Sequence, residues 1–188
     1  TNIYSIIQFI QKNIDIPRNE ASMFIKDVGQ LLKKEERNPF KTTTFGVGEM
    51  ILEAVNLGVE KILLGIGGSA TNDCGIGLAA ALGFRFLDEN ETELNPVGKN
   101  LNRISKIDDS NLKFKKEDLP KIEVICDVEN PLYGKNGAAY VYAKQKGATD
   151  AQIEELDTGL RHFSQILEKN AYLIDQNKTN IRWNIRHH

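Results

Sequence analysis

The chain is poor in cysteine, tryptophan and proline, and it has no long apolar stretch. Its 188 residues include two cysteines, one tryptophan and five prolines. Two cysteines without a dense cysteine framework indicate reduced thiols rather than a disulfide or a zinc site. No apolar stretch approaches the roughly 18 residues that are needed to span a bilayer. We therefore expect a cytoplasmic protein with no membrane partner.

The chain also lacks an excess of basic charge. Lysine and arginine total 24 against 26 aspartates and glutamates, which gives a formal net charge of -2 at pH 7. Phosphate backbones are neutralised by clustered lysines and arginines, whereas the basic residues here are scattered. The composition therefore argues against a nucleic-acid partner. Its hydrophobic content of 40% is enough for the buried core of a globular protein.

A glycine-rich polar loop, GIGGSATND at residues 65–73, is the most informative segment of the chain. It follows residues 61–66, whose continuous apolar run predicts a fully buried strand, and it precedes a helix-like pattern at 73–82. Glycines let a ligand approach the backbone closely, and the first amides of a helix carry partial positive charge. The loop is therefore predicted to bind an anion. The alternative is that Asn72 or Asp73 simply caps the helix.

Apolar periodicity places this loop in an α/β arrangement of strands and helices. Thr149 and Gln152 form a capping-box pattern at the start of the last helix, and residues 88–91 have the composition of a hairpin turn. His162 on the last helix is expected to be exposed or structural. The predicted helices are one before Pro17, one over about 18–36, one around Met50 to Val55 that ends at Gly58, and those at 73–82 and 150–169; the predicted strands are 61–66, 84–87 and 121–126.

Asp127 directly follows the predicted strand at 121–126. In open α/β sheets, ligands bind outside the carboxyl ends of the strands. If the strands at 61–66 and 121–126 are parallel in one sheet, Asp127 and the glycine-rich loop face the same cleft. The alternative is that Asp127 and Asn130 only form a turn before Pro131.

The loop also fits a weaker pattern, that of a dinucleotide-binding site. Gly65, Gly67 and Ala70 match the G-x-G-x-x-G/A spacing, and Asp88 follows at about the distance expected of a ribose-binding acid. The Walker pattern and the protein-kinase motifs are absent. A dinucleotide-binding oxidoreductase domain is thus one alternative, and a non-catalytic interaction domain or folding fragment is another.

Four longer motifs resemble the bacterial glycerate kinase family, and the resemblance extends over residues 36–169. They are ERNPFKTTTFGVGE at 36–49, LGIGGSATNDCGIGLAAALGFRFLD at 64–88, CDVENPLYGKNGAA at 126–139 and QKGAT at 145–149. Val47 stands where the family usually has Thr, and Cys74 where it usually has Gly. The family's PDSFKGS-like first loop and its glycine- and alanine-rich C-terminal stretch have no counterpart here. The resemblance therefore implies an internal fragment.

The resemblance implies an α/β enzyme in which a layered sheet and helices contain Rossmann-like strand-loop-helix units. Its active site would lie in a cleft between two domains, where the γ-phosphoryl group of ATP passes to D-glycerate with the help of Mg²⁺. The favoured product is 2-phosphoglycerate. The chain would divide into a helical segment at 1–35, a glycerate-kinase-like region at 36–170 and an unassigned tail at 171–188.

The resemblance also implies roles for individual residues. Asp127 and Asp73 are the candidate catalytic carboxylates: one would accept the proton of the substrate hydroxyl and the other would bind Mg²⁺, with Asp127 favoured as catalytic. A fragment that lacks part of the cleft is expected to have weak or no kinase activity, and exposed domain edges would favour a homo-oligomer. Residues expected to bind phosphate or the glycerate carboxylate are Gly67, Gly68, Ser69, Thr71, Asn72, Thr44, Asn130 and Lys146.

Overall fold

Short strands and helices are mixed along the described part of the chain, which confirms the α/β prediction. The computed structural model describes residues 22–25, 36–66, 69–125 and 130–169. In these ranges the elements are, in chain order, β1 (Ser22–Ile25), α1 (Phe45–Asn56), β2 (Lys61–Gly65), α2 (Ile76–Ala81), β3 (Arg85–Leu87), β4 (Lys106–Asp108), β5 (Lys121–Ile125), α3 (Ala138–Tyr142) and α4 (Asp150–Lys169). The same ranges include short 3₁₀ helices at Gly98–Arg103, Lys116–Asp118 and Lys144–Lys146.

A three-stranded parallel sheet carries the glycine-rich loop. Its order is β1-β2-β5, so that β2 lies in the middle, while β3 and β4 pair antiparallel as a separate two-stranded sheet. The register of β2 and β5 places Gly65 beside Ile125. Parallel strands end at the same edge of a sheet, so the segments that follow β2 and β5 begin next to each other.

Helix α1 covers one face of this sheet. Ile51 and Ala54 on the helix and Ile62 on β2 are fully buried, and Ile122 on β5 joins the same cluster. The opposite face of the strands carries charge, because Glu123 forms ion pairs of 3.0 and 2.7 Å with the lysines at the start of β2 and β5. The prediction of a fully buried strand at 61–66 is therefore wrong in this respect: one face of β2 is apolar and the other is partly polar.

A second apolar cluster lies under α4. Leu156, Leu160 and Phe163 project from one side of this helix and are nearly inaccessible to solvent, and Leu101 of the 3₁₀ helix packs against them. The rings of Phe86 and Phe163 meet edge to face, with centroids 5.9 Å apart. The predicted capping box is confirmed, because the N–H of Thr149 donates to Gln152 Oε1 at 2.9 Å and the N–H of Gln152 donates to Thr149 Oγ1 at 3.3 Å.

Glycines bring α1 and α2 into backbone contact. A Cβ atom on Gly48 would lie 2.3 Å from the carbonyl oxygen of Leu78, and one on Gly77 would lie 2.1 Å from Thr43 Oγ1. Both distances are far shorter than any contact that a methyl group makes. The start of α2 is therefore packed directly against the residues that lead into α1.

The structure departs from the predicted secondary structure at residues 22–25. The helix predicted over about 18–36, and with it the helical description of 1–35, is wrong here because these four residues form β1 and pair with β2. Met23 and Ile25 fit a helical stripe, but Ser22–Ile25 is also a short apolar run, and the neighbouring strand satisfies its backbone hydrogen bonds. The rest of that prediction and the helix before Pro17 lie outside the described residues.

The remaining elements follow the predictions closely. α1, β2, β3, β5 and α4 lie where the sequence places them, and Gly58 ends α1 with a left-handed φ of +68°. Helix α2 begins at Ile76 rather than 73, because Cys74 and Gly75 both have positive φ and form a turn. None of the helices in the described ranges has the length and apolarity that a membrane crossing demands.

Candidate functional site

Asp73 connects the start of α2 to the residues that precede α1. The side chain is buried, with 1% of its surface exposed. Its Oδ2 accepts hydrogen bonds from Thr44 N–H at 2.7 Å, Thr44 Oγ1 at 2.8 Å and Gly77 N–H at 3.3 Å. Its Oδ1 accepts a bond from Gly75 N–H at 3.3 Å. These contacts are those of a helix-start cap extended to a second helix.

The electrostatics of Asp73 follow from this enclosure. Burial raises the pKa of the Asp73 carboxyl, and the hydrogen bonds from Thr44, Gly75 and Gly77 lower it without cancelling the effect of burial. Both oxygens are used by protein donors, so the carboxylate has little capacity left for a metal ion or a substrate proton. The geometry favours the capping alternative. Among the described residues, no group of three or more acidic, histidine or cysteine side chains is arranged to hold a metal ion.

Lys146 and Thr42 hold the glycine-rich loop from two sides. Lys146 Nζ donates to Ser69 Oγ at 2.8 Å and to the carbonyl oxygen of Thr71 at 2.7 Å. Thr42 Oγ1 donates to the carbonyl oxygen of Ala70 at 2.7 Å. Three of the four motifs thus meet at this loop, and the structure brings together Ser69, Thr71 and Lys146 from the predicted binding residues.

Thr44 and Asn72 also lie beside the loop, but with different partners. The Thr44 hydroxyl bonds to Asp73 and accepts a hydrogen bond from the N–H of Leu78 at 2.9 Å, so it is engaged within the protein. Asn72 is 8% exposed, and its Nδ2 has no hydrogen-bond partner among the described residues. A buried donor without an acceptor costs about 1–3 kcal/mol. The Asn72 amide is therefore a buried donor that an acceptor from outside the described residues would satisfy.

The positions of three predicted residues are not described. Gly67, Gly68 and Asp127 lie outside the described residues. Asp127 was expected to face the loop only if the strands at 61–66 and 121–126 are parallel in one sheet. This condition is met, because β2 and β5 are adjacent and parallel. The proximity of Asp127 to the loop stays a prediction.

Asn130 belongs to the turn before α3. Its Nδ2 donates to the carbonyl oxygen of Asn136 at 3.1 Å, and its Oδ1 accepts a hydrogen bond from the Tyr142 hydroxyl. The side chain is exposed and its described contacts are all local. Contact with the glycine-rich loop is not among them, so the turn alternative accounts for Asn130.

Asp88 occupies a hairpin turn rather than a nucleotide-binding edge. Its Oδ1 accepts hydrogen bonds from the N–H groups of Asn90 and Thr92, both at 3.0 Å, and its Oδ2 lies 3.3 Å from Arg103. The dinucleotide hypothesis thereby loses the acid that would bind ribose. His162 is structural as expected, with Nε2 2.7 Å from the carbonyl oxygen of Ile104.

Cys74 lies at a strained position beside Asp73. Its φ of +52° is in the left-handed region that favours glycine, the residue usual in the resembled family. Burial raises the pKa of the Cys74 thiol to about 12, and the charge of Asp73 contributes to this rise. The thiol is therefore protonated and poorly nucleophilic near neutral pH.

A surface pocket of about 640 Å³ was not predicted from the sequence. We name it the basic pocket, and it is lined by residues from segments 40–45 and 95–103, including Lys41, Lys99 and Arg103. The only hint in the sequence is that Lys41 belongs to the ERNPFKTTTFGVGE motif, and the second segment lies about 55 residues further along the chain, which no local pattern connects.

Known proteins provide an independent comparison. A model of the glycerate kinase family matches residues 26–181. A glycerate kinase from Halalkalibacterium halodurans is 49% identical over 139 residues, which are 74% of this chain and 36% of that protein. A glycerate 2-kinase from Escherichia coli K12 is 45% identical over 140 residues, 74% of this chain and 36% of that protein. The chain thus spans about a third of the length of these relatives.

A solved structure agrees with this comparison. The crystal structure assigned as glycerate kinase 2 from Salmonella typhimurium LT2 superimposes with a TM-score of 0.76 at 40% sequence identity. The match covers 84% of this chain and 43% of that one. The family match takes in the glycine-rich loop, Asp73 and Lys146. On this evidence the chain belongs to the glycerate kinase family.

Proposed function

We propose that this chain forms one wall of the active site of an ATP-dependent glycerate kinase, and that the glycine-rich loop held by Lys146 binds the anionic part of a substrate. The observation that carries the proposal is the pair of hydrogen bonds from Lys146 Nζ to Ser69 Oγ and Thr71 O. They place an ammonium group directly against the loop. Loose phosphoryl-transfer transition states are stabilised chiefly by positioning and charge neutralisation, and both are available here.

Lys146 and Asn72 have complementary roles in this proposal. The lysine fixes the shape of the loop and adds positive charge, while the buried Asn72 Nδ2 supplies a donor that has no acceptor among the described residues. An anion seated on the loop would satisfy that donor and would be attracted by the ammonium group. The loop amides of Gly67 and Gly68 are proposed as further donors.

The catalytic carboxylate in this proposal is Asp127. It follows β5 in the sequence, and the end of β5 adjoins the end of β2, at the edge where α/β sheets bind ligands. Asp127 would accept the proton of the glycerate hydroxyl, or bind the Mg²⁺ that accompanies the nucleotide. Asp73 does not fit either task, since its oxygens are occupied by Thr44, Gly75 and Gly77. We therefore propose Asp73 as a positioning residue.

The favoured product is 2-phosphoglycerate, supported by the Escherichia coli relative that is named a glycerate 2-kinase. The composition, with two cysteines, fits an enzyme of the reducing cytoplasm. A ³¹P and ¹³C NMR analysis of the reaction mixture distinguishes the 2-phosphate from the 3-phosphate. Exclusive formation of the 3-phosphate by the Escherichia coli relative would remove the support for this product.

Ligand-dependent thermal stability tests the role of the loop in this chain. A ligand that binds only the folded state raises the melting temperature. We expect D-glycerate or ATP-Mg to raise it for the natural chain, and Lys146→Met to abolish the rise. Lys144→Met is the matched control, because Lys144 lies two residues away in the same 3₁₀ helix and its ammonium group pairs with the exposed Asp150. Equal responses of the two variants would refute the proposed role of Lys146.

Turnover tests the role of Asp127. We expect the substitution equivalent to Asp127→Asn in the Escherichia coli relative to lower kcat by at least about 100-fold, because general acid–base catalysis contributes about 10²–10⁴. An Asp→Asn substitution at an exposed acid of that relative outside the four shared motifs is the control. Near-normal turnover in the Asp127 variant would show that the carboxylate assignment is wrong.

The thermal-stability experiment also tests whether the chain binds a substrate at all. If neither D-glycerate nor ATP-Mg stabilises the natural chain, the non-catalytic alternative is favoured instead.

A further inference from the structure

The basic pocket adjoins the segment that holds the glycine-rich loop. Thr42 donates to the loop at Ala70, whereas the next residue, Thr43, donates through Oγ1 to the carbonyl oxygen of Pro96 at 2.7 Å. A second bond, from Lys99 N–H to the carbonyl oxygen of Phe40 at 3.2 Å, joins the same two segments. The pocket is therefore a formed part of the fold rather than a gap between unconnected loops.

The base of the pocket is packed into the fold. Phe40 is 8% exposed and belongs to the apolar cluster under α4. Gly98 lies beneath the rim, where a Cβ atom would be 2.8 Å from the carbonyl oxygens of both Pro39 and Asn72. The rim at Gly98 is thus packed against the backbone of Pro39 and of the glycine-rich loop itself. A ligand in the pocket would meet a preformed surface.

Cations determine the charge of the pocket. Lys41 and Lys99 are exposed, and neither forms an ion pair with another described residue. Arg103 forms an ion pair with Asp88 at 3.3 Å, which offsets part of the charge of the arginine. None of the described residues that line the pocket is acidic. The pocket therefore attracts an anion that carries more than one negative charge.

Size and lining narrow the class of this anion. A volume of about 640 Å³ falls within the about 300–1,000 Å³ typical of pockets for drug-sized ligands, far more than a three-carbon acid needs. Phe45, Pro96 and Val97 add an apolar wall beside the lysines. The combination suits a polyphosphate attached to a larger, less polar group.

We propose that the basic pocket binds the polyphosphate chain of a nucleotide, which leaves the glycine-rich loop for the carboxylate of the acceptor. The inference rests on the proposed function, since it divides the two substrates of that reaction between the glycine-rich loop and the basic pocket, which both contact segment 42–44. Lys41 and Lys99 would contact phosphate oxygens as mobile point charges. Phe45 would lie against the rest of the nucleotide.

Direct binding to this chain tests the inference. Isothermal titration with ATP, inorganic triphosphate, adenosine and D-glycerate is carried out on the natural chain and on two double variants. Lys41→Gln/Lys99→Gln removes two charges from the pocket. Lys113→Gln/Lys115→Gln removes two equally exposed charges outside it, so that both variants have the same net charge. Circular dichroism verifies that both fold.

We expect the pocket variant to weaken the binding of ATP and triphosphate about tenfold, as the loss of two exposed charge contacts implies, and the control variant by less than twofold. Adenosine affinity should be the same in all three proteins. Equal effects of the two variants, or no binding of triphosphate to the natural chain, would overturn the inference.

The two proposals fail separately in these experiments. If stabilisation by D-glycerate depends on Lys146 while triphosphate binding ignores Lys41 and Lys99, the pocket assignment is wrong and the proposed function stands. If D-glycerate competes with triphosphate for the pocket, the pocket belongs to the acceptor and the inference is again wrong. If triphosphate binds through the two lysines but D-glycerate gives no stabilisation, the pocket assignment stands and the role of the loop fails.

Discussion

Replacing Asp73 by alanine is the sharpest test of how the site is built. The carboxylate joins two helices by accepting hydrogen bonds from the backbone N–H groups of Thr44, Gly75 and Gly77 and from the Thr44 hydroxyl. Alanine removes every acceptor at once and leaves these donors in a place where only 1% of the side-chain position is open to solvent. We expect a large loss of stability without any change in the apolar core.

The magnitude follows from the number of donors left unsatisfied. An orphaned buried donor costs about 1–3 kcal/mol, and alanine leaves the N–H groups of Thr44, Gly75 and Gly77 and the Thr44 hydroxyl without this acceptor. Thr44 and Gly75 are half-buried, so water reaches part of the gap and we expect about 3–5 kcal/mol for Asp73→Ala. Asp73→Asn keeps one acceptor oxygen, which serves Thr44, and sets its amide against the N–H of Gly75. For this variant we expect about 1–2 kcal/mol.

Urea unfolding followed by far-UV circular dichroism measures both values, provided that the slope of the transition is unchanged among the variants. A change of less than about 0.5 kcal/mol for Asp73→Ala would refute the reasoning, since that is the range of ordinary surface substitutions. So would an asparagine variant as unstable as the alanine variant. If the equivalent asparagine in the Escherichia coli relative abolished turnover at unchanged stability, Asp73 would be catalytic after all.

Three further predictions concern the same region and the β3–β4 pair. Cys74→Gly should be more stable than Cys74→Ala by about 1 kcal/mol in urea unfolding, because a φ of +52° is strained for alanine. An alanine variant more stable than the glycine variant would contradict this prediction. Gly77→Ala should lower the free energy of unfolding by about 3 kcal/mol or more, since its Cβ would lie 2.1 Å from Thr43 Oγ1. Gly46→Ala in α1 is the control and should not destabilise the protein, because there is open space around its Cβ. Equal effects of the two variants would show that packing is not the cause. Hydrogen bonds to Ser110 and to Arg85 lower the pKa of Asp108 to about 2. The ionised carboxylate therefore stabilises the fold above its unfolded pKa of 3.8, and this contribution is lost as the pH falls through about 2. Asp108→Asn should flatten the dependence of the unfolding free energy on pH between these values, and an unchanged dependence would count against this prediction.

Local elements were predictable where one pattern acts alone. The capping box at Thr149 and the stripe of Leu156, Leu160 and Phe163 define α4 without help from the rest of the chain. β2 and β5 follow from short apolar runs. Residues 22–25 were mispredicted because such a short segment fits both periods, and the decision is made by hydrogen bonds from β2, which is about 40 residues away in the chain.

The site was predictable as a set of residues but not as a set of partners. Ser69, Thr71 and Lys146 were grouped through motif resemblance, and the structure brings them together. Nothing in the sequence distinguishes a carboxylate that binds substrate from one that caps two helices. For Asp73 that distinction depends on burial and on donors from Thr44, 29 residues away along the chain. The basic pocket was missed for the same reason, since its walls are distant in sequence.

The three consecutive threonines, Thr42 to Thr44, look like a redundant run in which one residue might replace another. The shortest contact of each hydroxyl is nevertheless different: Ala70 in the glycine-rich loop for Thr42, Pro96 at the basic pocket for Thr43, and Asp73 at the helix junction for Thr44. Thr43 also reaches Asp73, at the longer distance of 3.5 Å. A shift of the segment along the chain by a single residue would therefore break all three short contacts together. Residues 42–44 therefore connect the glycine-rich loop to the basic pocket. We expect a ligand that shifts one of these two sites to alter the affinity of the other.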